Sequence, residues 1–212
     1  MAEFIDVDQN SPEWFAMRCG RLGGSSIAKV MANLGKAFGE PAKKHAVTLA
    51  VQQITGKASE QSYSNEHMER GHEQEPIARM MYENETFCEV TNGGYFDEGF
   101  VGLSPDGLID LDGLIEIKSV LAGTHYATIK RMNVDPAYRW QCNLQLKVTG
   151  REWLDFVSYC AEFPIDKQLF IYRIWAKDLE EEFKQLDSRI AEFKELVEKS
   201  KEVILSTNYI NQ

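Results

Sequence analysis

The stretch from Thr86 to Ser119 constrains the fold more than any other part of this chain. It reads as short β-like runs (TFCEV, GGYF, GFVGLS, GLIDL and GLIEIKS) separated by Asn92-Gly93-Gly94, Asp106-Gly107 and Asp112-Gly113. Asn-Gly and Asp-Gly steps between such runs signal strands joined by tight turns. Strands this short cannot form a stable unit alone, so the sheet they build must be covered by other elements.

The rest of the chain supplies that cover. Ser11-Pro12-Glu13 before WFAMR reads as an N-cap, a proline at the first helical position and a short helix. Gly20 to Gly24 interrupts it, and Ser25 or Ser26 can cap a second helix running to about Leu34. Lys36 to Pro41 is loop-like, a third helix is expected from about Lys43 to Ile54, and a fourth from about Asn65 to Glu83, where Pro76 is placed to kink or divide it. After the β-rich stretch, helical segments are expected at Gly123–Met132 and Ala137–Lys147, followed by strands in EWLDFVSYCA and QLFIYRIWA. From about 177 to 205 the tail reads as one long helix. Its seam of Leu179, Phe183, Leu186, Ile190, Phe193 and Val197, with Ile204 in phase, packs on its own domain or on another subunit, and the first is preferred. The expected fold is α/β (α+β): one domain across residues 1–212, a central mixed sheet flanked by helices, N-terminal helices within 11–83 and a long C-terminal helix.

Composition narrows the class. Apolar residues make up 43% of the chain and charged residues 26%, which excludes a mostly disordered protein. No run approaches the roughly 20 apolar residues that span a bilayer, and MAEFIDVDQNSPEW lacks the basic-then-apolar order of a secretory signal. A cytoplasmic protein is expected. Four cysteines without any CxxC pair point to free thiols rather than a zinc or iron–sulfur site. The net charge of −10 leaves the partner open, because phosphate contacts depend on local basic patches.

The chemistry concentrates in Ser104-Pro105-Asp106-Gly107 and Glu116-Ile117-Lys118. Glu116 and Lys118 are two apart on a strand, so they leave the same face. Asp106, in a turn on the preceding hairpin, comes beside Glu116. Converging carboxylates hold Mg²⁺ or Mn²⁺ through oxygen, and the Ile117 carbonyl is placed to add a third ligand. A lysine on the same face can position an attacking water. The plainer alternative is a surface hairpin with a Glu116–Lys118 ion pair. Leu114, Ile115, Ile117 and Val120 around the charges argue against an open face.

Pro105-Asp106 with Glu116-Ile117-Lys118 resembles the PD-(D/E)xK nuclease signature. The surroundings resemble the phage lambda exonuclease and YqaJ-type viral recombinase branch of that superfamily, from Trp14 to about Tyr159. The ordered elements are Trp14-x-x-x-Arg18, Ser25, Gly71-x-x-x-Glu75, Ser104-Pro105-Asp106-Gly107, Glu116-x-Lys118 and a following glutamine. The resemblance implies metal ligation by Asp106, Glu116 and the Ile117 carbonyl, with Lys118 as the catalytic lysine. It implies that Glu75 completes a second metal site or orients water. Gln141, preferred over Gln145, matches the motif glutamine. Arg18, Ser25 and Ser104 fall on the positions that grip a 5′-phosphate, although Gly23 stands where the lambda-type enzyme carries a threonine hydroxyl. Met68 matches an apolar wedge between separating strands. The other glutamates around Glu75, and His72, read as solvated surface. Trp140, Trp153 and Trp175 read as core or interface aromatics, and Lys43-Lys44-His45 and Lys130-Arg131 as surface.

The resemblance thus implies a Mg²⁺-dependent 5′-to-3′ exonuclease with two ions per site, for which Mn²⁺ substitutes. It would act on ends of double-stranded DNA as a toroidal homotrimer, alongside a single-strand-annealing recombination protein, in the cytoplasm of a bacterial host carrying the gene on a phage or prophage. The alternatives are an endonuclease or RecB-like nuclease, a non-catalytic DNA-end-binding module, and a protein-interaction domain built on the C-terminal seam. An intact Asp106…Glu116-x-Lys118 weighs against the last two.

Overall fold

The structure, a computed structural model, describes residues 2–58 and 66–206; for residues 66–69 and 72 only the backbone is described. Nine strands and seven helices occur among the described residues. In chain order they are β1 (Glu3–Ile5), α1 (Pro12–Arg18), β2 (Leu22–Gly23), α2 (Ile27–Met31), α3 (Glu40–Thr55), α4 (Glu66–Thr86), β3 (Val90–Thr91), β4 (Tyr95–Asp97), β5 (Val101–Leu103), β6 (Gly107–Ile109), β7 (Gly113–Ser119), α5 (Ala122–Arg131), α6 (Pro136–Thr149), β8 (Trp153–Tyr159), β9 (Leu169–Trp175) and α7 (Glu180–Ser206).

The architecture is mixed α/β, as expected, but the strands divide between two sheets. One has the order β3-β6-β7-β8-β9, the other β1-β4-β5-β2. The smaller sheet recruits β1 and β2, which lie in segments where the sequence predicts no strand, the N-terminal stretch and the glycine-rich interruption. Strands of two or three residues carry too little periodicity to be seen, and their partners are distant in sequence.

In the larger sheet β7 and β8 are parallel, while β6–β7 and β8–β9 are antiparallel. A parallel neighbour requires a crossover connection, and α5 and α6 supply it. The crossover lays α6 over the sheet face that carries Leu114, Glu116 and Lys118. The apolar residues of that face, Leu114, Leu154 and Phe156, join a core with α2, α3, α6 and α7. On the opposite face Ile115, Ile117, Val157 and Tyr159 pack with Ala78 and Tyr82 of α4.

The long tail helix serves this core. Leu186, Phe193 and Val197 are fully buried, Leu179 nearly so, and Phe183 and Ile190 pack against them. Each fully buried Leu or Phe contributes about 1.5–3 kcal/mol of transfer free energy. The heptad-like seam is therefore covered within the chain. Ile204, although in phase, is exposed with Val203 and Leu205, because α7 has by then run past the core.

Helix boundaries moved in understandable ways. Ser11 caps α1 as expected, accepting a hydrogen bond from the Trp14 N–H. α2 is shorter than expected, ending at Met31, and neither Ser25 nor Ser26 caps it through a side chain. α3 starts at Glu40 with Pro41 in its first turn, where a missing N–H costs nothing. Pro76 sits inside α4 without dividing it. No helix among the described residues is long and apolar enough to cross a membrane.

Candidate active site

Strand β7 delivers Glu116 and Lys118 to the face under α6, as their two-residue spacing requires. Glu116 is fully buried and its carboxylate is held from three directions. Gln141 Nε2 donates to Oε1 at 2.5 Å, Gln145 Nε2 donates to Oε2 at 2.5 Å, and the Lys118 ammonium forms an ion pair with Oε1. Gln141 and Gln145 are one turn apart on α6 and share a face. Both the preferred Gln141 and the alternative Gln145 hold the Glu116 carboxylate. The Glu116–Lys118 pair does form, but in the interior rather than on a surface hairpin.

Asp106 precedes β6, in a turn fixed by close backbone approach. A side chain on Gly93 would place its Cβ 1.9 Å from the Pro105 carbonyl oxygen, so only glycine fits there. The Pro105 carbonyl in turn accepts from Gln9 Nε2 at 2.8 Å. Asp106 Oδ2 accepts the Ile117 N–H at 2.6 Å. The β6–β7 register pairs Gly107 with Ile115 and, continued, sets Pro105 opposite Ile117. Proline has no N–H to offer, and within a strand the N–H and C=O of one residue point to the same neighbour. The Ile117 carbonyl is thereby left without a ladder donor, beside Asp106.

The electrostatics show strain between like charges. Burial pushes the Asp106 carboxyl well above the usual carboxylate range, with Glu116 and then Glu75 adding to the effect and Lys118 and the Ile117 N–H opposing it. Burial works against the Lys118 charge, yet Glu116 and Asp106 outweigh it and hold the ammonium above its ordinary range. Two carboxylates share one ammonium, an arrangement that favours an added cation.

The donor set bears on which cation the site could hold. Among the described residues no three His, Cys, Asp or Glu side chains converge as an all-protein metal cage. Asp106, Glu116 and the Ile117 carbonyl offer oxygen only. That suits Mg²⁺, which binds through one or two carboxylates and fills the remaining positions with water and substrate phosphate. Glu75, on α4, borders the same space.

From this cluster a cleft of about 620 Å³ runs to Arg18, Ser25 and Ser104. The Arg18 guanidinium stacks 4.1 Å from the Trp14 ring centroid, as residues four apart on α1 can. Nearby Arg21 pairs with Asp97 at 3.2 Å; Arg18 forms no ion pair among the described residues. Burial lowers its pKa, with Tyr95 opposing the effect. Ser104 Oγ accepts the Trp14 Nε1–H at 2.7 Å, which leaves its own proton to donate into the cleft. Ser25 is exposed on the turn at Gly24–Ser26 that lines the same space. A Cβ at position 23 would lie 3.6 Å from Arg18 Nη2, so a side chain there would reach the guanidinium; Gly23 leaves that space open. Met68 lies on α4, with its side chain outside the described residues.

In the sequence Trp14 was a motif position without a stated contact and Gln145 the less preferred motif glutamine; the i,i+4 spacings Trp14–Arg18 and Gln141–Gln145 carry the signal for their contacts. Trp153 stacks under Arg173 at 3.7 Å, and Trp140 packs against the core, both structural.

Residues 13–152 match the YqaJ-like viral recombinase domain. The alkaline exonuclease LHK-Exo of Laribacter hongkongensis is similar at 36% identity over 92% of this chain and 98% of that one, with a TM-score of 0.77. The structure of LHK-Exo in complex with dAMP superposes with a TM-score of 0.78. A phage-related exonuclease from Haemophilus somnus 129PT shares the fold, with a TM-score of 0.68 at 13% identity over 88% of this chain and 95% of that one. No curated protein matches the chain in sequence. The domain match spans well over half the chain and carries the Arg18, Asp106, Glu116 and Lys118 positions: the chain belongs to the YqaJ-like viral recombinase family.

Proposed function

We propose that this protein is a Mg²⁺-dependent 5′-to-3′ exonuclease that degrades the 5′-phosphorylated strand of linear double-stranded DNA. The remaining 3′ single strand would feed homologous recombination through a single-strand-annealing protein, in the cytoplasm of a bacterial host of the phage or prophage. One observation carries the reading: Arg18, which forms no ion pair among the described residues, shares a cleft with two carboxylates that share one ammonium. The anion-poor end at Arg18 suits a substrate phosphate, and the cation-poor end at Asp106 and Glu116 suits a metal. The similar alkaline exonuclease supports an exonuclease activity.

Asp106, Glu116 and the Ile117 carbonyl would hold one ion, and Glu75 with Asp106 a second; Mn²⁺ would substitute. When bound, the ions supply Lewis-acid polarisation of the phosphodiester and lower the pKa of the attacking water. Gln141 and Gln145 fix the orientation of Glu116, as partners behind a ligating carboxylate do. The Lys118 ammonium is positioned to orient the water and to balance charge at the reacting phosphate. Arg18, Ser25 and Ser104 would take the terminal 5′-phosphate, which sets polarity by fixing the end of the strand.

A net charge of −10 repels DNA at long range, so retention between steps needs a device other than the overall field. A closed homotrimeric ring around the duplex provides it. The seam of α7 is buried within the chain and would not form the subunit contacts. The deciding experiment offers a linear duplex with one 5′-phosphate and one 5′-hydroxyl end, beside a covalently closed circle, with and without Mg²⁺. Mg²⁺-dependent loss of the 5′-phosphorylated strand alone is expected. Cutting of the circle would turn the reading to an endonuclease, and binding without cleavage to an end-binding module.

A further inference from the structure

The two most exposed large apolar side chains among the described residues are Phe87, at 93%, and Leu111, at 86%. Both stand at one end of the larger sheet. Val90 of β3 pairs with Ile109 of β6, so the chain enters β3 from Phe87 and leaves β6 toward Leu111 at the same edge. The catalytic cluster lies at the other end of β6, where Asp106 leads into Gly107. Phe87 is also held in the left-handed region, at φ 57°, where it closes α4 by donating its N–H to the Glu83 carbonyl at 2.9 Å. Glycine is usual at such a helix end, because a Cβ crowds the backbone there. The fold thus gives Phe87 neither an easy backbone nor shelter for its ring, and nothing among the described residues offsets either cost. The rim around this apolar pair is acidic. Glu85, Glu89, Asp110 and Asp112 are all exposed, each within two residues of Phe87 or Leu111. α4 has no basic residue in its last turn, so its carbonyl dipoles add to the negative field. The neighbouring guanidinium of Arg151 directs Nη1 to the carbonyls of Ile109, Asp110 and Gly113. Such a field repels DNA, and it repels the same face of a second copy.

We propose that Phe87 and Leu111 anchor a docking surface for a basic protein segment, one whose lysines or arginines flank an apolar pocket that takes the Phe87 ring. The ring and the leucine supply apolar area at the centre of the contact, and the carboxylates around them pair with the segment's cations and steer its approach. Neither Phe87 nor Leu111 lines the cavities at the catalytic cluster, so a partner held here leaves those cavities open to DNA. The surface is separate from the nuclease site and does not depend on what that site does.

The test is selection from a random peptide library displayed on phage, run in parallel against wild type and Phe87→Gly. The substitution removes the ring and relieves the left-handed φ, so the urea midpoint should hold or rise, with turnover on DNA unchanged. Peptides retained by wild type and lost on Phe87→Gly should be rich in lysine, arginine and large apolar residues. The strongest of them, made synthetically, should bind wild type about 10-fold or more tightly than Phe87→Gly, with Leu111→Ser in between. Added salt should weaken that binding. If no peptide is lost on Phe87→Gly, or if those lost carry no excess of positive charge, the proposal is overturned. A clear fall in the urea midpoint of Phe87→Gly also overturns it, since Phe87 would then be a structural residue. So does a wild-type oligomer that dissociates on Phe87→Gly in sedimentation equilibrium, which would make this face a contact between copies of the chain.

Discussion

Two carboxylates are buried on neighbouring strands of the same sheet, and their surroundings could hardly differ more. Asp155 on β8 lies among apolar residues under α4, where it accepts the Tyr82 hydroxyl at 2.6 Å and both arms of the Arg173 guanidinium at 2.8 Å. Its charge is matched by one cation in a bidentate fork, its lone pairs are used, and no cavity adjoins it among those that border the catalytic cluster. Glu116 on β7 faces the other side, with Asp106 competing for the same lysine, and opens into two cavities through its neighbours. Burial alone therefore does not mark a functional carboxylate. What marks it is charge that the protein leaves unbalanced.

The largest effects should break this contrast at its functional end. Asp106→Asn, Glu116→Gln and Lys118→Ala should each lower turnover by roughly 10³-fold or more, the loss of several kcal/mol of transition-state stabilisation. Asp106→Asn should cost little stability or raise it at neutral pH, since the variant removes a carboxylate held above its ordinary pKa. The sign follows from linkage: a raised carboxyl makes the folded state bind more protons than the unfolded one, so its contribution to stability falls as pH rises through that window. Added Mg²⁺ should raise the Tm of wild type and leave Glu116→Gln unmoved. Wild-type turnover in Glu116→Gln would remove the site assignment.

Asp155→Asn should do the reverse. Breaking a buried charge pair costs about 3 kcal/mol or more, and the partial exposure of Arg173 keeps this case near the lower end. Urea unfolding should report that loss, while activity per folded molecule stays close to wild type. A variant of normal stability and poor turnover would show that this network also belongs to the active site.

Arg18→Ala comes next, with a charge-assisted contact of about 1.5–3 kcal/mol at stake. Competition between 5′-phosphate and 5′-hydroxyl duplexes should show wild type favouring the phosphate roughly 10- to 100-fold, with the preference shrinking in the variant and Mg²⁺ binding intact. Equal use of both ends by wild type would detach the phosphate reading from the nuclease reading.

The carboxylates of the candidate site were legible in the sequence for a reason that Asp155 lacked. Asp106, Glu116 and Lys118 lie within one hairpin, so turn signals and strand periodicity place them together without knowledge of the rest of the fold. Asp155 meets Arg173 across β8–β9 and Tyr82 across the layer to α4, contacts that depend on register and packing. The same limit hid β1 and β2, and it hid which of Arg18 and Arg21 would find Asp97. Gln145 was named only as the less preferred choice for one motif glutamine, where helix geometry places two on the face that meets Glu116.

The smallest effect isolates the hydroxyl that completes the balanced site. Burial, then the hydrogen bond to Asp155, raises the pKa of Tyr82, so the phenol stays protonated where an unfolded tyrosine would ionise. Tyr82→Phe removes one donor from Asp155 but leaves the Arg173 fork, so about 1–1.5 kcal/mol of stability should be lost at neutral pH with turnover unchanged. The pH dependence has a definite sign. With the folded pKa above the unfolded one, the folded state keeps the proton longer, and stability falls as pH rises past about 10. Tyr82→Phe should therefore lose less stability than wild type between pH 9 and 11, with Tyr95, pushed up to about 12 chiefly by burial, still contributing in both. Urea midpoints measured across that range would decide it: parallel alkaline losses in the two proteins would mean that the Tyr82 proton is not held by the fold, and that Asp155 is balanced by Arg173 alone.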